Sequence, residues 1–277
     1  MTTAADWQGR VGRTWAEEAA RTERSFAAIA AALDARIADV APASGRALDI
    51  GCGIGSTTRA LAACRPHLQV TGADLSTDLV ALARSRALPN TRFLHGDAVE
   101  AAETLAPLDL LVSRHGVMFF DDPVTAFSRL RAAVRPGAPL VFSCFRARGE
   151  NDWFGEITTA LGIATPAEAG YAPGPFGFAD RAFVADLMRR TGWRDAQAEP
   201  LDLPYVVGAG ADPAAEALAF FRRIGPAAPL LAGAPPADRV AMEARLADVL
   251  AARTRDGATA FTAGVWIWHA VAAGDSA

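Results

Sequence analysis

Between residues 46 and 145 the chain alternates short apolar runs with longer segments, and this alternation constrains the fold more than any other feature. The apolar runs are 46–50, 68–73, 91–95, 108–113 and 138–145. Runs of four to eight residues between helical segments of about a dozen predict βαβ units and a parallel sheet. Two more strands are predicted over 193–207, with a bend, and 262–270. We therefore expect an α/β fold with a doubly wound, Rossmann-like sheet of about seven mostly parallel strands.

The segments between these runs predict helices. Residues 14–39 repeat apolar positions at helical spacing and indicate one or two N-terminal helices. After the first strand, Ser56 or Thr57 is expected to cap a helix that ends near Cys64. Ser76 is in the corresponding capping position after the second strand and is expected to cap a helix over residues 77–87.

Two segments interrupt the alternation. Residues 146–179 are rich in glycine, proline and aromatic residues, and residues 208–256 contain two further helical patterns. Both flank the C-terminal half of the sheet, where they could cover a ligand. We therefore divide the chain into an N-terminal helical lid, residues 1–40, and one domain, residues 41–277, that carries the two segments as cap insertions.

A glycine-rich loop follows the first strand directly. Gly51, Gly53 and Gly55 alternate with other residues, Asp49 precedes them, and a helix is predicted to follow. Glycine permits positive φ and a close approach of the backbone, and a helix N-terminus offers free N–H groups to a polar ligand. The spacing differs from the Gly-x-Gly-x-x-Gly that cradles a pyrophosphate. A tight turn without a ligand remains the alternative.

Acidic residues end the next two strands. Asp74 lies 23 residues after Gly51, near the ~20 expected of a carboxylate that binds ribose hydroxyls, and Asp97 ends the third strand. Ligands of open α/β sheets bind at this carboxyl edge. An alternative is that Asp74 and Asp97 only cap the helices that follow them.

Composition excludes several classes of function. All 27 basic residues are arginine, so Schiff-base chemistry on lysine and the lysine of a P-loop are both excluded. The net charge of −4 argues against a nucleic acid as partner or substrate. The 3 cysteines form no CxxC pair, and the 4 histidines have no metal-ligand spacing, so we expect a reducing, cytoplasmic location and no metal. No membrane-spanning segment or signal peptide is predicted.

Several motifs together resemble one enzyme family. The motifs are Leu48-Asp-Ile-Gly-Cys-Gly-Ile-Gly55, Gly72-Ala-Asp-Leu-Ser76 and His95-Gly-Asp-Ala98. In this order they resemble class I S-adenosylmethionine-dependent methyltransferases. The segments 113–123 and 130–140, the tryptophans near the N-terminus and Val265-Trp-Ile-Trp268 resemble a bacterial small-molecule branch of the ubiquinone/menaquinone-biosynthesis type. The resemblance implies that the last strand is inserted antiparallel and that the cofactor is S-adenosylmethionine.

The resemblance also implies roles for residues of the glycine loop. Gly51, Gly53 and Gly55 would line the methionine part of the cofactor. Asp49 would hold its ammonium group, often through water.

Roles at the later strand ends follow in the same way. Asp74 would bind both ribose hydroxyls, and Leu75 would pack on the adenine. Asp97 would accept from the adenine amino group, with Ala98 beside it. Ser113, which ends the fourth strand, would lie beside the methionine end.

Three further residues are candidates for the site. His115 stands where the resemblance leads us to expect an apolar or aromatic residue, and it could act as a general base; a structural role is the alternative. Arg114 could bind an acidic acceptor or point into solvent. Trp15, with Trp7 and the glycines between them, is expected to close over the cofactor; an ordinary helix packed on the domain is the alternative.

The predicted activity is methyl transfer from S-adenosylmethionine to a small organic acceptor, on oxygen or nitrogen rather than carbon, by a monomer or homodimer. Two alternatives remain. A non-catalytic S-adenosylmethionine-binding protein would have the same motifs. A nicotinamide-dependent oxidoreductase would share the strand–glycine–helix unit but calls for Gly-x-Gly-x-x-Gly and a catalytic tyrosine or lysine; only Tyr171 and Tyr205 are present.

Overall fold

One sheet organises the part of the chain that the computed structural model describes, residues 4–164 and 170–274. Its strands are β1 (Ser44–Ile50), β2 (His67–Asp74), β3 (Thr91–His95), β4 (Leu110–Arg114), β5 (Pro139–Phe145), β6 (Trp193–Ala209), β7 (Thr254–Arg255) and β8 (Ala258–Ala272). They lie in the order β3-β2-β1-β4-β5-β8-β6, and the two-residue β7 pairs with β8. Strands β1 to β5 are parallel, and β8 is antiparallel to β5 and β6. The predicted fold class is confirmed.

Helices cover both faces of the sheet. They are α1 (Ala4–Gln8), α2 (Arg10–Glu17), α3 (Ala19–Ser25), α4 (Ala27–Val40), α5 (Ser56–Cys64), α6 (Thr77–Arg84), α7 (Ala98–Leu105), α8 (Pro123–Ala132), α9 (Asp152–Ala160), α10 (Arg181–Arg190), α11 (Pro213–Phe221), α12 (Ala227–Gly233) and α13 (Pro236–Ala252). The core between them is apolar and includes fully buried Leu48, Leu111 and Trp268. Within the described residues, no helix is both long and apolar enough to cross a membrane.

Three local predictions are wrong. Residues 14–39 fall in three helices, α2, α3 and α4, instead of one or two, with breaks at Glu18 and Phe26. Helix α5 is capped by neither Ser56 nor Thr57, because both lie inside its first turn and the N-cap is Gly55, in the left-handed conformation without a side-chain bond. The helix after β2 ends at Arg84, short of the predicted residue 87, although Ser76 caps its start as predicted.

The strand order places a topological switch point between β1 and β4. The chain runs from β1 outward to β3 on one side, and from β4 to β5 on the other, so the loops that leave β1 and β4 diverge. A crevice at such a point is where open α/β sheets bind ligands. Gly51, after β1, and Gly116, after β4, approach closely here: a Cβ on Gly51 would lie 3.0 Å from the Gly116 Cα.

Candidate active site

A cavity of about 710 Å³ lies at the carboxyl edge of the sheet, at the switch point. The loops after β1, β2, β4 and β5 form its base, and helices α1–α3, residues 148–154 and 175–176 and the α11–α12 junction form its sides. The volume is in the range of small-molecule sites, ~300–1,000 Å³. Of the residues in the described segment of 146–179, Arg148, Trp153 and Phe176 contribute to the lining, whereas residues 165–169 lie outside the described chain.

The three loop glycines have left-handed φ values but different surroundings. Gly53, at φ 54°, lines the cavity, and a Cβ there would meet no atom within 4 Å. Gly55, at φ 76°, does not line the cavity, and a Cβ there would clash with the ring of Phe93. Gly51 lines the cavity beside Gly116. The loop therefore offers bare backbone to a ligand at Gly51 and Gly53, while Gly55 allows close internal packing.

Asp49 is a buried carboxylate on the cavity wall, 1% exposed. Its Oδ2 accepts a hydrogen bond from the Thr58 hydroxyl at 2.6 Å, and its Oδ1 has no partner. Burial raises the pKa of Asp49 to about 7, against the opposing effects of Thr58 and the Arg114 charge. An unpaired buried carboxylate oxygen is costly, so this atom is suited to receive a cationic or N–H group from a ligand.

Asp74 ends β2 and is held by backbone N–H groups. Its Oδ2 accepts from Gly53 N and its Oδ1 from Ser76 N, both at 2.8 Å. Burial raises the pKa of Asp74, and the two backbone hydrogen bonds oppose that shift. Each carboxylate oxygen can accept a further bond from a ligand. Asp74 and the adjacent Leu75 both line the cavity. Asp74 does not cap the next helix, α6, because the N-cap of that helix is Ser76.

Besides Gly55, three predicted cofactor contacts do not line the cavity. Asp97 caps α7, where its Oδ1 accepts from the N–H groups that follow at 2.7 and 3.0 Å, and Ala98 begins that helix. Ser113 is fully buried; its hydroxyl donates to the Ile50 carbonyl at 2.7 Å and accepts from Gly116 N at 3.1 Å. Ser113 therefore ties the loop after β4 to the end of β1. The ligand roles of these three residues stay predictions.

His115 follows β4 in the left-handed conformation, φ 58°, which is strained for a residue with a Cβ. Its Nδ1 lies 2.8 Å from the Ser143 hydroxyl, whereas its buried Nε2 has no partner. The ring lines the cavity and packs on Phe145 with 4.3 Å between centroids. Burial, and secondarily the Arg114 charge, lowers the pKa of His115 to about 3. The imidazole is therefore neutral at pH 7 and a weak base.

Arg114 does not point into solvent, because its guanidinium forms an ion pair with Glu23 of α3 at 2.6 Å and its side chain is 14% exposed. Both residues line the cavity. Burial of Glu23 opposes its ionisation, but Arg114 and the Ser56 hydroxyl outweigh that effect and lower the pKa. No sequence signal linked Glu23 to Arg114, since 91 residues separate them.

The N-terminal helices close one side of the cavity. Trp7 and Trp15 both line it, with ring centroids 5.5 Å apart, and Trp7 also meets Phe119 at 5.3 Å. Glu18 is 7% exposed, and its Oε1 forms an ion pair with the Nε of Arg223 at 2.6 Å. Arg223, which follows α11, also pairs with Glu17. This ion pair joins α2 and α3 to the end of α11.

An aromatic wall forms another side of the cavity. It consists of Phe145, Trp153, Phe154, Phe176 and Tyr205. Neighbouring rings within it have centroids 4.9–6.4 Å apart. The aromatic-rich segment 146–179, which was expected to cover a ligand, supplies Trp153, Phe154 and Phe176, whereas Phe145 and Tyr205 come from β5 and β6. Across residues 4–164 and 170–274, no group of three or more His, Cys, Asp or Glu could hold a metal ion.

Comparisons with known proteins identify the class of the domain. Residues 47–137 match the family model described as a methyltransferase domain. The chain is 37% identical over 141 residues to trans-aconitate 2-methyltransferase of Variovorax paradoxus, an alignment that covers 50% of this chain and 51% of the relative. Over 129 residues it is 34% identical to malonyl-[acyl-carrier protein] O-methyltransferase of a Paenibacillus species, covering 42% and 45%. The biotin biosynthesis bifunctional protein of Bordetella avium is 33% identical over 154 residues, covering 52% and 33%.

Solved structures agree on the fold. Phosphoethanolamine N-methyltransferase 2 of Haemonchus contortus, in complex with S-adenosyl-L-methionine, has a TM-score of 0.54 at 17% identity and covers 99% of this chain and 60% of its own. The YcgJ protein of Bacillus subtilis has a TM-score of 0.51 at 17% identity, covering 87% and 97%. Residues 47–137 are therefore similar to methyltransferase domains, and the fold is one that solved methyltransferase structures share, as the motifs led us to expect. It spans from one third to about one half of the curated relatives' lengths.

Proposed function

We propose that this protein transfers a methyl group from S-adenosylmethionine to a small organic acceptor, on oxygen or nitrogen rather than carbon. The unpartnered Oδ1 of Asp49, buried on the cavity wall beside the glycine loop, carries the proposal. A buried anionic oxygen next to open backbone at Gly53 fits an amino-acid ammonium group. The methyltransferase relatives, two of which are named for the methylation of acids, support the same activity.

The residues at the two strand ends fit the cofactor. Asp49 would bind the ammonium, Gly51 and Gly53 would lie along the methionine chain, and Asp74 would accept from the ribose hydroxyls, with Leu75 against the base. When bound, S-adenosylmethionine supplies an electrophilic methyl group on a sulfonium. The chain's own contribution is to orient the acceptor and to exclude water from the cavity.

We also propose that residues 1–40 act as a lid over this site. Trp7 and Trp15 line the cavity, and the pairing of Glu18 with Arg223 bridges α3 to the cap insertion. Aromatic side chains on a closing element exclude water, as transfer to a weak nucleophile requires. The first 3 residues lie outside the described chain.

The oxidoreductase alternative has little support. Tyr171 donates from its hydroxyl to the Phe120 carbonyl, and burial raises the pKa of Tyr205 to about 12. Neither phenol is prepared for proton transfer at neutral pH. Calorimetric titration with S-adenosylhomocysteine and with NAD tests this point: we expect only the first to bind, and binding of NAD alone would overturn the proposal.

A methyl-transfer assay over a panel of small acceptors separates an enzyme from a non-catalytic binding protein. We propose further that the protein is cytoplasmic, acts as a monomer or homodimer and has no nucleic-acid partner. Sizing by light scattering and a binding assay with duplex DNA and RNA check the last two points.

A further inference from the structure

His115 carries a buried polar atom that the proposed cofactor roles leave unused. The residue lines the cavity and is 8% exposed, and its Nε2 has no hydrogen-bond partner among the described residues. A buried polar group without a partner is costly, and so is the left-handed backbone of this residue. Both costs fall on one residue of the cavity, which points to a role in binding a ligand.

Ser143 of β5 fixes the position of His115 and the location of its proton. The backbone N–H of His115 donates to the Ser143 carbonyl at 3.1 Å, and Nδ1 lies 2.8 Å from the Ser143 hydroxyl. Ser143 is fully buried, and within residues 4–164 and 170–274 its hydroxyl has no other hydrogen-bond partner. Because a buried hydroxyl proton needs an acceptor, we assign Nδ1 as that acceptor and the imidazole proton to Nε2. The unpartnered nitrogen is therefore an N–H donor.

The imidazole ring has apolar surroundings. Phe145 packs on it with 4.3 Å between centroids, and Phe26 meets it edge to face at 5.2 Å. Burial, and secondarily the Arg114 charge, lowers the pKa of His115 to about 3, so the ring stays neutral and is a weak base. Phe26 belongs to the proposed lid, residues 1–40, and its movement with the lid would give a ligand access to Nε2.

His115 lies on the side of the switch point away from the predicted ribose site. It follows β4 and is bonded to β5, whereas Asp74 ends β2, on the other side of β1. Its ring contacts Phe145, which is part of the aromatic wall. This position fits the acceptor end of the cavity, not the cofactor end.

We infer that the Nε2–H of His115 binds an uncharged carbonyl oxygen of the methyl acceptor, whose apolar body packs on the aromatic wall. A carbonyl oxygen accepts a hydrogen bond and brings no proton of its own, which the rings of Phe26 and Phe145 could not accept. A charged oxygen would be buried beside carbon atoms at a larger cost. His115 is then a specificity-determining residue and not a general base. This inference names a feature of the substrate of the proposed methyltransferase site and so rests on that function.

The position of the imidazole proton is tested first, by NMR of the full-length protein with ¹⁵N-labelled histidine. We expect His115 to carry a proton on Nε2 and none on Nδ1, unchanged from about pH 5.5 to 8, because its pKa lies below this range. His115→Phe identifies the signal by removing it. In Ser143→Ala, which offers no hydroxyl to Nδ1, part of the signal should change to the Nδ1–H form. A proton on Nδ1 of the wild type, or an imidazolium, would overturn the inference.

Matched ligands then test the recognition of a carbonyl group without turnover. Acetophenone and 1-indanone are compared with α-methylstyrene and 1-methyleneindane, in which a methylene carbon replaces the carbonyl oxygen and the shape is kept. Binding is followed by NMR titration, with and without saturating S-adenosylhomocysteine. We expect at least one ketone to bind about 5-fold or more tightly than its hydrocarbon, because the hydrocarbon leaves the buried N–H unpaired. The bound ketone should also move the Nε2–H signal downfield.

Variants assign the preference to His115. His115→Phe keeps a ring and removes the N–H, so it should reduce the preference for the ketone to about 2-fold or less, and Ser143→Ala should reduce it in part. His67→Phe is the matched control, because His67 is exposed at the amino end of β2, away from the carboxyl edge. Thermal unfolding shows whether each variant is folded. If His115→Phe does not fold, the shift of the wild-type Nε2–H signal and the effect of Ser143→Ala decide the question.

Each outcome supports or overturns the inference. Ketones that do not bind, or that bind no more tightly than their hydrocarbons, overturn it, as does a preference that persists in folded His115→Phe. Ketone binding that leaves the Nε2–H signal unmoved also overturns it. A loss of S-adenosylhomocysteine affinity in folded His115→Phe, with the ketone preference unchanged, would place His115 on the cofactor instead. If S-adenosylhomocysteine fails to bind the wild type, the proposed function is wrong, while the titrations without it still test the carbonyl contact.

Discussion

Asp74 Oδ2 accepts a hydrogen bond from the backbone N–H of Gly53 at 2.8 Å, which joins the end of β2 to the glycine loop after β1. The same carboxylate holds Ser76 N through Oδ1. Asp74 therefore both shapes the loop and presents its oxygens to the cavity.

Replacement of Asp74 by Asn should weaken S-adenosylhomocysteine binding by ~2–4 kcal/mol, because an amide cannot accept at both positions and carries no charge. Calorimetry measures the change. Asp78→Ala, on exposed surface of the following helix, is the control and should leave affinity intact. Unchanged affinity in a folded Asp74→Asn protein would remove Asp74 from the site.

Alanine substitutions at two of the loop glycines should have different effects, one on ligand binding and the other on stability. Gly53→Ala adds a methyl group to open cavity space and should mainly reduce ligand affinity, whereas Gly55→Ala forces a clash with buried Phe93 and should mainly lower the melting temperature. Gly257→Ala, at φ 76° with nothing nearby, controls for backbone strain of ~1–2 kcal/mol. If Gly53→Ala and Gly55→Ala lose the same affinity for the ligand and have the same melting temperature, the expected difference between the two positions is contradicted.

Asp49 should release a proton when a cationic ligand binds. Its pKa of about 7 is above the usual 3.8, chiefly through burial; Thr58 and Arg114 lower the pKa, and Asp34 and Asp74 raise it. A cation beside Oδ1 favours the charged form, so binding of S-adenosylhomocysteine at pH 6 should release protons. Calorimetry in buffers of different ionisation enthalpy measures the release, which should be absent in Asp49→Asn.

The raised pKa of Asp49 should also make the stability of the folded protein depend on pH. Since the folded pKa of Asp49 exceeds the unfolded value, the folded state binds more protons between about pH 4 and 7, and its stability falls as the pH rises through that window. Asp49→Asn should remove this component. A pH dependence identical in the two proteins would argue against the raised pKa.

His115 should give the stability of the folded protein the opposite dependence on pH. Its pKa is lowered from 6.5 to about 3, so the unfolded state binds the extra proton and stability is lost as the pH falls below 6.5. The stability advantage of the wild type over His115→Asn should therefore shrink from pH 7 to pH 5. Asn is chosen because it tolerates the left-handed backbone. Denaturant unfolding at several pH values measures the free energy of unfolding of both proteins. A wild-type advantage that is the same at every pH would contradict the lowered pKa of His115.

The N-terminal helices should become protected when ligand binds. Hydrogen exchange over residues 5–20, with and without S-adenosylhomocysteine, measures lid closure. Trp15→Ala should lower turnover more than melting temperature, because the ring lines the cavity. Equal protection in both states would leave these helices as ordinary packing elements.

Much of the fold could be predicted because its signals are local. The apolar runs at 68–73 and 91–95 correspond closely to β2 and β3, and the cap at Ser76 forms as its position indicated. The glycine loop brings Asp49 and Gly53 to the cavity because a strand followed at once by a tight turn must place them at the sheet edge.

Sequence alone therefore determined the α/β class, the carboxyl edge of the sheet as the candidate site and the placement of Asp49 and Asp74 at that edge. Tertiary packing decided the rest: that Gly55 packs on Phe93 while Gly53 faces the cavity, and that Glu23 pairs with Arg114. It also assembled the aromatic wall from segments that include Phe145 and Tyr205. Periodicity and capping report on neighbours within a few residues, whereas these contacts join distant residues through packing of helices on the sheet, which no local pattern encodes.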